Sequence, residues 1–174
     1  MPEYICEKGC VASYLTDEEK QKHGFTNGDC MIASITKLAE LSNKFGNHFS
    51  LAMKVLLRDT TSITRLMKPK ERKAWWKVGK YQIHFCVFNR KTKQYIDTSN
   101  GSFSITTLDF EKTRFTAEYN RTHKIYHLPI EYFTKHYGGM IGRFCIERLS
   151  NQNKLFTQLQ ERELISNGVE IITG

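Results

Sequence analysis

The sequence predicts an α+β domain in which a helical N-terminal half packs on an antiparallel β-sheet. Three observations lead there. Ile32, Ile35, Leu38, Ala39 and Leu41 recur at helical spacing after a polar start, and Gly46 follows as a stop. Residues 81–88 and 93–98 are rich in β-branched and aromatic side chains and flank the turn Asn89-Arg90-Lys91-Thr92, the pattern of a hairpin. Beyond Phe103, short extended runs alternate with compact helical ones.

In chain order, Cys6 and Cys10 form a Cys-x3-Cys pair, but no second Cys or His pair follows at ligand spacing, so neither metal nor cofactor is expected. Thr16 and Glu19 make a capping box for a short helix over 17–23, with Gly24 as its stop. The helix that begins near Cys30 comes next. Ser50 is the N-cap of a further expected helix carrying Leu51, Val55 and Leu56 and ending near Arg58. Pro69 opens a short helix through Trp76, and Gly79 marks the change to extended chain. After the hairpin, Ser99-Asn100-Gly101 is a turn, and Phe103, Ile105 and Thr107 alternate as a third strand. Residues 110–119 read as another edge strand and 124–128 as a short extended segment. Pro129 starts a helix holding Tyr132 and Phe133. Residues 140–149 are apolar without a decisive period. Leu155, Phe156, Leu159 and Leu164 mark an amphipathic helix closed by Asn167-Gly168, and 169–172 form a terminal strand. With no internal repeat or linker, the 174 residues are expected to form one domain.

The chemistry concentrates in two places. Asn27-Gly28 runs directly into Cys30, and Asn27 or Asp29 is a suitable N-cap. A thiol in a first helical turn meets free backbone N–H groups and the positive end of the helix dipole, which favour thiolate. The same position also suits a small buried core residue. In the hairpin, pairing Phe88 with Lys93 puts Cys86 opposite Tyr95 and His84 opposite Asp97, so the carboxylate holds the imidazole in one tautomer. A one-residue slip would send Asp97 to the other face. His127, on an extended apolar segment with Glu131 nearby, is the rival base, and Cys86 and Cys145 read as inert core thiols.

A cysteine opening a helix, followed by His and Asp on a hairpin, resembles the papain-like and transglutaminase-like thiol enzymes. Gly28-Asp29-Cys30 with Met31-Ile32-Ala33 is similar to the nucleophile motif of calpain-type peptidases. The likeness covers about residues 24–100. It implies an acyl-transfer enzyme acting on an amide bond, as protease, deamidase or cross-linking enzyme. Cys30 would be its nucleophile, His84 its general base and Asp97 its orienting acid, with Asn27 beside the Cys30 N–H as oxyanion donor. The chain departs from papain in three ways: Gly24 and Phe25 stand where a glutamine is usual, Met31 follows the cysteine in place of an aromatic, and Asp97 replaces asparagine. The partner implied is a protein or peptide substrate.

The net charge of +8 supports a second reading, a non-enzymatic basic protein or inhibitor that binds nucleic acid or an acidic protein. Basic and aromatic side chains interleave at Lys70, Arg72, Lys73, Trp75, Trp76 and Lys77, and Arg90, Lys91 and Lys93 crowd the hairpin turn. A solvated helix face with its tryptophans turned inward is the simpler account of the first cluster. No apolar run reaches spanning length, the first residues lack a signal peptide's pattern, and five cysteines show no secreted spacing. A cytoplasmic setting is expected, or delivery into a host cell without a cleavable signal.

Overall fold

The computed structural model describes residues 29–58, 81–98, 104–113, 119–137 and 155–173. Helix α1 (Asp29–Phe45) precedes strand β1 (Phe49–Arg58). Strands β2 (Tyr81–Asn89), β3 (Gln94–Asp97) and β4 (Ser104–Thr106) follow, then the short helix α2 (Leu108–Thr113). Strand β5 (Tyr119–Pro129) leads directly into α3 (Ile130–Tyr137), and α4 (Gln158–Ser166) precedes β6 (Glu170–Thr173). The strands form one six-stranded sheet in the order β4-β3-β2-β1-β5-β6. Every neighbouring pair is antiparallel. The chain is therefore α+β, with α1 packed on an antiparallel sheet.

The sheet's centre departs from the sequence reading. Residues 50–58, expected as a helix capped by Ser50, form β1. Both faces of this strand are covered, so it shows none of the polar alternation that marks a half-buried strand. Leu51, Met53 and Val55 point to one side with Ile83, Phe85 and Val87 of β2, against Ile35, Leu38 and Ala39 of α1. Tyr126, Leu128, Ile130, Phe133 and Leu164 complete this first core. Ala52 points to the other side, into a smaller cluster with Cys86, Phe88, Tyr95 and Ile125, on which Leu108 of α2 packs. The edge strand expected over 110–119 is also corrected: residues 108–113 are helical, with Asp109 and Glu111 in a first turn that favours negative charge. Pro129 ends β5 rather than starting α3.

The other ends follow local chemistry. Gly46, at φ +104°, closes α1. Thr157 and Gln160 form a reciprocal capping box at α4, and Gly168, at φ +89°, follows that helix. The Cys6–Cys10 pair, the 17–23 helix, the helix after Pro69, Cys145 and the 140–149 run lie outside the described residues. No helix among those described is long and apolar enough to cross a membrane.

Candidate functional site

The hairpin forms one step later than expected. Phe88 pairs with Tyr95 and Asn89 with Gln94, in place of Phe88 with Lys93. The cause is local. Asn89 remains in the strand, its Oδ1 accepts from the N–H groups of Lys91 and Thr92 at 3.0 and 3.3 Å, and its carbonyl accepts from Lys93 N at 2.8 Å. Lys93 takes φ +60°, in the left-handed region, and the four-residue loop moves from 89–92 to 90–93. A shift of two residues preserves side-chain parity. His84 and Asp97 thus share a face as diagonal neighbours, and His84 Nε2 lies 2.7 Å from Asp97 Oδ2.

A carboxylate only accepts, so His84 donates from Nε2, and Nδ1 becomes the basic nitrogen of its neutral ring. The side chain of Asp97 is 6% exposed and that of His84 19%, so a buried acid orients an imidazole with one edge toward solvent.

The pair sits on the smaller, polar side of the sheet. Lys54, the Cα partner of His84 on β1, ion-pairs with Glu111 of α2, both almost wholly buried. Thr106 Oγ1 donates to Glu111 at 2.6 Å, and Thr122 Oγ1 donates to the Glu111 carbonyl at 2.7 Å. Farther along the same face, Tyr95 reaches across the strands that carry Ala52 and Cys86. Its OH donates to His127 Nε2 at 2.6 Å, while His127 Nδ1 donates to Glu170 at 3.1 Å. Phe88 stacks on the His127 ring at 3.9 Å. Burial lowers the His127 pKa to about 4 against the opposing pull of Glu170, so the ring is neutral and its tautomer is set by the two partners. Burial also pushes the Tyr95 phenol far up, assisted by the nearby Cys86, Glu111 and Glu170.

Cys30 is the second residue of α1. That helix of 17 residues is about 25 Å long, and the short 46–48 link turns the chain back so that α1 runs antiparallel to β1. The first turn of α1 therefore lies toward the Arg58 end of the sheet, the end at which β2 begins, while His84 stands at mid-strand opposite Lys54. The faces differ too: α1 packs on the side of Ile83 and Phe85, and His84 and Asp97 point to the other. Asn27, Lys70, Arg72, Lys73, Trp75, Trp76 and Lys77 lie outside the described residues.

Two buried networks escaped the sequence. Glu131, expected beside His127, instead receives Arg90 at 3.1 Å, and the acid at His127 comes from β6, 43 residues away. The one available signal for Lys54 was a lone lysine within the apolar run 51–57. Among the described residues, no three His, Cys, Asp or Glu side chains stand together as a metal-binding group. No protein-family model, curated protein or solved structure matches the chain.

Proposed function

We propose that the chain is an acyl-transfer enzyme acting on an amide bond in a papain-like or transglutaminase-like arrangement, with His84 as base and then acid and Asp97 orienting it. The observation that carries this reading is the 2.7 Å contact between a buried carboxylate and a partly exposed imidazole. Cys30 is the nucleophile on sequence grounds. This reading requires the first turn of α1 to carry the thiol around to the His84 face, where its proton passes to His84 as sulfur bonds the amide carbon. His84 then returns the proton to the departing amine, and water or a second amine opens the thioester. A water-opened thioester gives a hydrolysed peptide or a deamidated side chain, and an amine gives a cross-link.

A second reading is favoured by the position of α1 across the sheet from His84. In it, His84–Asp97 is one of several polar ties on that face, Cys30 packs a helix start, and the protein binds a partner without catalysis. Thiol reactivity separates the two. Under the enzymatic reading, iodoacetamide alkylates Cys30 near neutral pH well ahead of the other four cysteines. His84→Ala and Asp97→Asn then slow that reaction about tenfold or more, with melting temperatures within a few degrees of the parent. Equal Cys30 rates in all three folded proteins would establish the second reading.

A further inference from the structure

The end of the sheet away from Cys30 gathers positive charge around an exposed aromatic ring. Lys44 lies in the last turn of α1 with its ammonium 5.3 Å from the Phe45 ring, and Phe45 is 57% exposed. The chain then turns through Asn47 and His48 to β1. The hairpin loop closes on that turn: Arg90 N donates to the His48 carbonyl at 2.8 Å, and Arg90 Nη2 donates to the Asn47 carbonyl. Lys91 and Lys93 project from the same loop, both exposed. Among the described residues, the acids near this end are engaged, Glu131 with Arg90 and Glu170 with His127. Lys44, Lys91 and Lys93 have no ion-pair partner among the described residues.

We propose that this end of the sheet, with Phe45, Lys44, Arg90, Lys91 and Lys93, is a binding surface for single-stranded nucleic acid. The chemistry is that of a stacking platform flanked by phosphate-neutralising cations. An exposed phenyl ring offers a face to an unstacked base, and a duplex presents none along its length, which selects the single strand over the double. The lysines are held by a stiff support, since Asn89 closes the loop by three hydrogen bonds. Little ordering is therefore lost on binding. Lys93 also occupies a left-handed position that glycine or asparagine would fill with less strain. His48 registers the crowding: its pKa is lowered by burial and by the charges of Lys91 and Arg90, and a bound phosphate would raise it.

The test is fluorescence anisotropy of labelled 12-nucleotide RNA and DNA strands, a matched duplex and polyglutamate, each over a salt series with the full chain. Lys91→Gln with Lys93→Asn should weaken single-strand binding about tenfold at low salt and flatten the log–log salt slope by about 1 to 1.5, the value for two phosphates. Phe45→Ala should weaken binding about tenfold and leave the slope unchanged. Circular dichroism checks that each variant is folded, and the His48 ring protons should titrate at higher pH when the strand is bound. Unequal binding of the RNA and DNA strands would name the natural ligand within the proposed class. Absent binding, or binding that survives Phe45→Ala combined with Lys91→Gln and Lys93→Asn, overturns the proposal, and so does preference for the duplex or for polyglutamate.

Discussion

On the face that α1 covers, Leu38, Leu51, Met53, Phe85 and Phe133 are almost wholly buried and carry no charge; on the other, Lys54, Asp97, Glu111 and His127 are buried nearly as deeply. The same strands build both. An apolar face is stabilised by area and packing, at about 1.5–3 kcal/mol for each large side chain, and tolerates volume-conserving exchange. A polar face is stabilised only while each charge keeps its partner, because a buried charge left alone costs far more than its pair contributed. The second face therefore has low tolerance for single changes and high geometric definition. That is what a site needs.

The largest effect should come at Lys54 and Glu111. Glu111→Leu strands a buried ammonium and should lower unfolding free energy by about 3–5 kcal/mol, while adding Lys54→Met should restore most of it. On the first face Leu51→Ala should cost a similar ~2–5 kcal/mol, but no single second change removes the cavity it leaves. Urea denaturation of the three variants tests this contrast, and a double variant no better than Glu111→Leu would erase it.

The two faces were unequally legible in the sequence. The first was largely readable: α1, the hairpin strands, α4 and β6 announced themselves by period and turn residues, as Gly46 and the Asn167-Gly168 stop show. β1 failed because burial on both sides removes alternation, and its apolar spacing then satisfies a helix template as well. The second face was readable only where partners are close in sequence. His84 and Asp97 are 13 residues apart across one turn, so even a register wrong by two residues kept them on one side. Lys54 and Glu111 are 57 apart and His127 and Glu170 are 43 apart, and no local pattern encodes which strands become neighbours.

An intermediate effect concerns acid. His127 is neutral when folded, with its pKa near 4 against 6.5 for a free imidazole, so between those values the unfolded chain binds more protons than the folded one. Stability should be flat above about pH 6.5 and fall as pH drops toward 4, by an amount on the order of 2–3 kcal/mol. His127→Phe should flatten that window, and Tyr95→Phe, which leaves His127 Nε2 without its donor, should cost about 1–2 kcal/mol at neutral pH. Thermal melts from pH 4 to 8 measure both. An unchanged slope in His127→Phe would assign the acid sensitivity to carboxylates elsewhere.

The smallest effect tests what assigns the faces at all. Lys93 holds φ +60°, and that left-handed residue gives the 90–93 loop the length that pairs Asn89 with Gln94. If backbone geometry rather than the lysine side chain fixes this register, Lys93→Gly should keep it, because glycine enters the region without a Cβ clash. Relief of that clash, less the extra freedom glycine gives the unfolded chain, should raise stability by about 0.5–1 kcal/mol. Cross-strand amide contacts between Phe88 and Tyr95 in NMR spectra should persist, as should the His84–Asp97 bond. Binding of a single-stranded oligonucleotide should weaken in the same variant, because the charge is gone while the loop remains. A loss of stability, or a one-residue slip that carries Asp97 to the α1 face, would mean that the lysine side chain itself holds the turn and that the polar face depends on it.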